Sequence, residues 1–300
     1  MVLVAPVRRI VAALLGVALA IATGGCAGIL FYPERTLIRT PDQVGVAYRD
    51  VDFQSGDGTP LHGWLLPTTG PPKGTVVFFH GNAENISTHL GSVYWLPDFG
   101  YQAFLFDYRG FGRSGGDIDL DGIHEDALAA LEKALALPEV DPGRVVVFGQ
   151  SIGAPLAVAA VAVGDPARVR AVVLESGFAS YRRITREKLG DVPLTWPFQG
   201  PLSLLMTERY SAGRWIGRLS PTPVLVIHGD RDNIVPPHHG EELFAAAGEP
   251  KRMWRIEGGG HIEAFARLGP VYRERLIQYL DQLLGPLPAA EPLPAPAPSP

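Results

Sequence analysis

Six short, mainly apolar runs constrain this chain more than any other feature: residues 75–79, 103–106, 144–148, 171–174, 223–227 and 252–256. Each is too short for a helix, and unbroken apolar character is what a strand covered on both faces shows. Helical stretches separate them, at 86–96, 120–137, 152–163, 239–247 and 271–284. The clearest places Leu120, Ile123, Ala127, Leu131, Ala134 and Leu135 on one stripe. Strand-helix alternation dictates right-handed crossovers, hence an α/β fold with a mainly parallel sheet and helices on both faces. Two earlier segments, 47–54 and 61–66, alternate polar and apolar residues around the turn Ser55-Gly56-Asp57-Gly58. They predict an antiparallel hairpin at one sheet edge.

At 145–148 an apolar strand runs into Gly149-Gln150-Ser151-Ile152-Gly153, and small apolar residues suited to a buried helix follow. G-x-S-x-G between a strand and a helix is the nucleophile elbow, a tight reversal that pushes the serine hydroxyl outward. The amide of Ile152 then lies at a helix N-terminus, where an oxyanion is stabilised. Ser151 needs a base, and the base needs an orienting carboxylate. The strand at 223–227 leads into His228-Gly229-Asp230-Arg231-Asp232, and the next strand into Glu257-Gly258-Gly259-Gly260-His261. Both groups thus leave C-terminal strand ends, where open α/β sheets bind ligands. Asp232 has more reach than Asp230, which is expected to cap its own turn. Glu175, at another strand end, is a rival acid. His228, His238 and His239 read as structural or solvated. A second oxyanion amide is expected from Asn82, in the loop after the strand at 75–79.

These residues, with His80-Gly81-Asn82 and Asp107-Tyr108-Arg109-Gly110-Phe111-Gly112-Arg113-Ser114, together resemble the α/β-hydrolase superfamily. The resemblance spans roughly residues 31–284 and is strongest to a compact, small-lid branch of serine hydrolases. That branch includes bacterial envelope hydrolases and membrane-associated eukaryotic protein depalmitoylases. It implies Ser151, Asp232 and His261 as a triad, Asn82 and Ile152 as oxyanion donors, and no metal or organic cofactor. The substrate is expected to be a small-molecule acyl ester or thioester, or an acylated protein. A peptidase or amidase of the same fold, and a catalytically silent lipid-anchored binding protein, are the alternatives. The glycines at 110–116 follow no phosphate-loop pattern. The acids at 117–121 lack the last ligand of a calcium loop, so they read as the charged start of the following helix.

Residues 177–220 separate two strands by far more than an ordinary connection. With Tyr181, Trp196, Tyr210, Trp215 and several prolines, this insertion predicts one or two short helices over the strand ends. It reads equally as a small lid shaping an acyl pocket or as a helix plus surface loop.

The ends differ from the domain at 27–284. Arg8 and Arg9 precede an apolar run at 10–22, then Thr23-Gly24-Gly25-Cys26. A charged start, an apolar stretch and small residues at a cleavage point read as a secretory signal over 1–26. The run is short for a bilayer span, which needs roughly 20 residues. The chain's one cysteine stands where a bacterial lipobox places its lipidated residue, although Thr23 replaces the usual Leu. The expectation is a membrane-anchored envelope lipoprotein with its domain outside the cytoplasm. The alternative is an uncleaved signal anchor over 10–32. Residues 285–300 alternate Pro with Ala, Leu and Ser and read as an extended tail. A net charge of −5 and a pI near 5.9 give no footprint for nucleic acid.

Overall fold

The computed structural model describes residues 30–287. The expected signal, Cys26 and most of the expected tail lie outside these residues. Strands β1 (Arg49–Gln54), β2 (Pro60–Leu66), β3 (Gly74–Phe79), β4 (Tyr101–Asp107), β5 (Val145–Gln150), β6 (Ala171–Glu175), β7 (Val224–Gly229) and β8 (Lys251–Ile256) form one sheet. Its order is β1-β2-β4-β3-β5-β6-β7-β8, with β1 and β2 antiparallel to their neighbours and the rest parallel. The helices are α1 (Ile86–His89), α2 (Leu120–Leu135), α3 (Gly153–Gly164), α4 (Tyr181–Gly190), α5 (Gln199–Ser203), α6 (Ala212–Trp215), α7 (Pro237–Ala246) and α8 (Gly269–Leu284). No helix among the described residues is long and apolar enough to cross a membrane.

From β3 to β7 the apolar runs are continuous because the sheet is buried on both faces, whereas edge strand β8 alternates, with Arg252 and Arg255 exposed. Along β3, Val77 and Phe79 join one core with residues of α2 and α3, while Val76 and Phe78 join a second core with residues of α8. β5 divides the same way, Val145 and Val147 against Val146 and Phe148. Asp119 starts α2 by accepting a hydrogen bond from the Gly122 amide at 2.7 Å.

Two expectations are corrected. The predicted helix over 86–96 is only the single turn α1, followed by tight turns at Leu90–Ser92 and Leu96–Phe99. Gly91 weakens helix propensity and Pro97 cannot continue a helix, so the apolar spacing alone does not hold one. The insertion carries three short α-helices, α4, α5 and α6, rather than one or two. The first is stabilised by Ser180, whose hydroxyl accepts from the Arg183 amide at 3.0 Å.

β5 turns into α3 through backbone contacts that tolerate no side chain. A Cβ on Gly153 would sit 2.1 Å from the Phe79 carbonyl oxygen, and one on Gly149 2.6 Å from the Gly153 carbonyl oxygen. We expect Gly153→Ala to destabilise the fold by about 3 kcal/mol or more, because backbone must move. Gly91→Ala, which meets nothing within 4 Å, should change stability by less than about 0.5 kcal/mol. Chemical denaturation of the two variants measures both.

Candidate active site

Ser151 follows β5 directly and has φ of 53°, a costly conformation for a residue with a side chain. Its backbone is held from two sides: its amide donates to the Glu175 carbonyl at 2.9 Å, and its carbonyl accepts from the Ala154 amide at 3.1 Å. The turn directs the hydroxyl to His261, whose Nε2 lies 3.1 Å from Ser151 Oγ. His261 Nδ1 lies 2.8 Å from Asp232 Oδ2. The other Asp232 oxygen, Oδ1, accepts from the amides of Ile234 at 3.0 Å and Val235 at 2.9 Å. Burial pushes the Asp232 carboxyl up. The hydrogen bond and charge of His261, with the Val235 amide, more than offset it and hold the net value below the ordinary carboxylate range. An ionised carboxylate only accepts, so Nδ1 carries a proton and Nε2 is the nitrogen that faces the serine hydroxyl.

The chain therefore brings Ser151, His261 and Asp232 into one hydrogen-bonded line. Asp230 is elsewhere: its Oδ1 accepts from the Gly258 amide at 2.8 Å, across to the loop after β8, and does not cap its own turn as expected. Asp232 is the one that bonds its own following backbone. Glu175, the rival acid, is buried beneath the site, accepting from Gln150 Nε2 at 2.6 Å and the Ala264 amide at 3.0 Å. His228 is buried and donates from Nε2 to the Val235 carbonyl at 2.8 Å, so it braces the Asp232 loop.

Asn82 lines the same cavity as Ser151 and Ile152. Among the described residues no backbone acceptor pairs with the amides of Asn82 and Ile152. The Asn82 side chain is engaged, accepting from the amides of Tyr32 at 2.9 Å and Ala83 at 2.8 Å. The cavity measures about 310 Å³. Leu30, Phe178, Ile184, Ile234, Val235 and Ile262 give it apolar walls, and of Lys, Arg, Asp and Glu only Lys188 lines it. No carboxylate lines it.

Several contributors were not found from sequence. Gly81 leaves space over the nucleophile: a Cβ there would lie 3.5 Å from Ser151 Cβ and 3.0 Å from His89 Cε1. Leu30 and Tyr32 form cavity wall, although the segment before β1 carries no periodicity that would mark it. His89 reads in sequence as part of a helix; burial holds its imidazole below the ordinary value, which favours the neutral ring beside the serine.

One cluster of described residues has donor atoms spaced closely enough for a metal ion: Glu187, His238 and His239, all within 4.8 Å. Its carboxylate oxygens already accept from His238 Nε2 at 3.1 Å and His239 Nε2 at 3.0 Å. Arg183, 3.3 Å from Glu187, adds a cation that opposes a second one. The cluster's evident role is to tie α4 to α7.

A sheet of this order, with an elbow serine, a histidine and an acid on successive C-terminal strand ends, defines an α/β hydrolase. The chain belongs to that superfamily. The Hydrolase_4 family, described as serine aminopeptidase S33, matches residues 70–196. The uncharacterized protein YfhR of Escherichia coli strain K12 is 39% identical over 261 residues, covering 85% of this chain and 87% of that one. Protein bem46 of Schizosaccharomyces pombe is 30% identical over 236 residues, covering 75% and 76%. In structure, the Pyrococcus furiosus esterase Pf2001 superposes with a TM-score of 0.69 at 21% identity, covering 85% of this chain and 98% of that one, which shows the shared fold. Family and fold together support a hydrolase.

Burial pushes the Glu175 carboxyl up from 4.5 to about 7. The stability this group contributes is therefore complete below about pH 4.5 and is lost as pH rises through about 7. We expect the melting temperature of the native chain to fall between about pH 5 and about pH 8, and Glu175→Gln, which cannot ionise, to reduce that fall. Thermal melts across the range decide; an unchanged slope in the variant would show that Glu175 does not titrate there.

Proposed function

We propose that this protein is a serine hydrolase that cleaves acyl ester or thioester bonds through a covalent acyl-enzyme. The observation that carries the reading is the line Ser151–His261–Asp232 opening into an apolar cavity. His261 Nε2 takes the proton of Ser151 as Oγ bonds to the acyl carbon, and Asp232 stabilises the imidazolium that forms. The amides of Asn82 and Ile152 receive the oxyanion, the second from the N-terminus of α3; such a donor is worth about 3 kcal/mol. His261 then returns its proton to the departing oxygen or sulfur. Water, deprotonated by the same nitrogen, attacks the acyl carbon; the bond to Ser151 Oγ breaks, His261 returns the proton to that oxygen, and the acid is released. No cofactor enters this sequence. We assign the protein to the bacterial cell envelope, held at the membrane through its N-terminal segment, with Cys26 as the lipidated residue.

A second reading follows from the matching family's description as a serine aminopeptidase. An aminopeptidase must hold a free α-ammonium group, and the cavity offers it Lys188 and no carboxylate. That charge arrangement favours acyl substrates over peptides with free amino termini. Rates on p-nitrophenyl acyl esters should exceed those on aminoacyl p-nitroanilides; the reverse order would establish the peptidase.

Ser151→Ala should abolish turnover and labelling by a fluorophosphonate while leaving the melting temperature within a few degrees. An inert binding protein would show no label even with Ser151 present. Asp232→Asn should lower kcat by about 10⁴-fold, because it presents the wrong imidazole tautomer to Ser151. Asp230→Asn should cost far less, and the opposite ranking would reassign the acid. Ile184 walls the cavity, so Ile184→Ala should move the optimum of the p-nitrophenyl series toward longer chains. An unmoved optimum would place the acyl chain elsewhere.

A further inference from the structure

The segment entering the domain does not approach from a remote side; it is part of the active-site wall. Leu30 and Tyr32 line the cavity that holds Ser151. From there the strand-like segment is fixed across the loop after β3. The Tyr32 amide donates to Asn82 Oδ1 at 2.9 Å, Glu34 N to the Glu84 carbonyl at 3.0 Å, and Asn85 Nδ2 to the Glu34 carbonyl at 2.9 Å. Between Cys26 and Leu30 there are four peptide steps, which span at most about 14 Å even fully extended. An anchor at Cys26 therefore brings the bilayer surface to the mouth of the cavity. The alternative anchor over 10–32 overlaps Leu30 and Tyr32, which the structure places in the cavity wall, so an uncleaved anchor has to end before Leu30 and likewise lies next to the mouth.

The insertion, whose helix α4 supplies Ile184 and Lys188 to the cavity lining, presents matching chemistry. Val192, Leu194, Trp196 and Leu204 are exposed, Trp196 at 60% and Leu204 at 64%. The first three follow shortly after Lys188, which lines the cavity, and Leu204 lines an outer groove on the other side of α4. Single exposed apolar residues need no explanation, but a concentration of them in one short segment does. The chain is acidic overall at −5, yet α4 carries Arg182, Arg183, Arg186 and Lys188; Arg183 pairs with Glu187 and Glu242 and Lys188 with Asp191, while Arg182 and Arg186 have no carboxylate partner among the described residues. Arg186 is exposed and makes no side-chain hydrogen bond or ion pair among the described residues. Apolar side chains with a tryptophan, flanked by cations, are the composition of a surface that settles into the interface of an anionic bilayer.

We propose that the insertion face formed by α4, residues 192–196 and Leu204 docks on an anionic lipid bilayer, so that the Ser151 cavity opens against the membrane and takes acyl chains from lipids or lipidated proteins held in it. This rests on the membrane-anchored hydrolase reading above and adds the orientation. Ile234 on the cavity rim, half-exposed at 51%, extends the apolar face to the opening. The substrate reaches the serine by sliding along the interface, without passing through water.

The test uses the full chain reconstituted in phosphatidylcholine–phosphatidylglycerol vesicles, with and without brominated acyl chains. Trp64, Trp95 and Trp254 are buried and Trp215 is half-buried, so the measurement is made in a Trp215→Phe background, where lipid quenching of tryptophan emission reports mainly on Trp196. The expected result is strong quenching by brominated lipid, most of which disappears in Trp196→Phe. A second readout compares Leu204→Ser/Trp196→Ser with the native chain. Hydrolysis of a long-chain acyl ester resident in the vesicle should fall severalfold, while hydrolysis of soluble p-nitrophenyl acetate, which also shows that the variant folds, should stay unchanged. Failure of the chain to sediment with vesicles overturns the proposal. So does quenching indifferent to Trp196, or a crosslink through position 204 to a second copy in place of quenching. Quenching without any p-nitrophenyl acetate turnover would instead sink the hydrolase reading and leave the docking face standing.

Discussion

The architecture depends on one backbone crossing. Gly153, at the start of α3, runs so close to the end of β3 that an added Cβ would meet the carbonyl oxygens of Phe79 at 2.1 Å and His80 at 2.6 Å. Two consequences follow. α3 is pressed against the sheet, which forces the reversal at Ser151 into its left-handed backbone conformation and aims the hydroxyl out of the strand edge. The exit of β3 is also fixed against the elbow, so the loop carrying Gly81 and Asn82 has to pass beside Ser151. Both amides assigned to the oxyanion are thus placed by the same contact, one at the α3 N-terminus and one in the β3 loop. Preorganisation of this kind costs nothing at the moment of reaction, because the fold has already fixed the dipoles.

Three buried carboxyls lie at strand ends near this crossing, and their surroundings separate their roles. Asp232 has two backbone amides on one oxygen and the His261 ring on the other, enough to hold it ionised despite burial. Glu175 has two donors but is buried more deeply, and its carboxyl rises to about 7. Asp107 accepts from the Ile86 amide at 2.9 Å, and burial likewise pushes it up to about 7. Only Asp232 combines full ionisation with a direct bond to the imidazole. Glu175 instead orders the surroundings, because its second donor is the amide of Ala264, three residues beyond His261. Arg109 does comparable work further out, binding buried Asp126 through two nitrogens and reaching Asp57 and Asp119, which closes the glycine-rich loop into a rigid rim.

Much of this was legible in the sequence because it is written in local pattern. Every one of the six runs appears as a strand, with ends moved by a few residues: five because buried strands are apolar on both faces, and β8, at the sheet edge, because Trp254 and Ile256 alternate with exposed Arg255. The hairpin announces itself by alternation and a turn. Ser151, Asp232 and His261 each follow one of these strands within five residues, so the motifs that carry them are placed even where the strand ends shift. What was not legible depends on contacts between distant segments. The helix expected over 86–96 fails because propensity at Gly91 and Pro97 overrides spacing. Asp230 binds the loop after β8, a partner 28 residues away that no turn rule supplies. Leu30 and Tyr32 enter the cavity wall only because the chain folds back over the β3 loop, and nothing in their own neighbourhood marks that.

That fold-back gives Asn82 two jobs at once. Its side-chain oxygen accepts from the amides of Tyr32 and Ala83, binding the entering segment to the loop. Its own amide stays available to the cavity. The loop needs such support, since Ala83 and Glu84 both adopt positive φ, at 67° and 57°. Strained backbone persists only where its surroundings over-determine it. Here the surroundings are largely the entering segment itself, through Glu34 bonded to Glu84 and to the Asn85 side chain. The residues that lead into the domain therefore also hold in place the loop whose Asn82 amide we assign to the oxyanion. Position of the chain's entry and competence of the site are thus one structural matter, set by the same few hydrogen bonds.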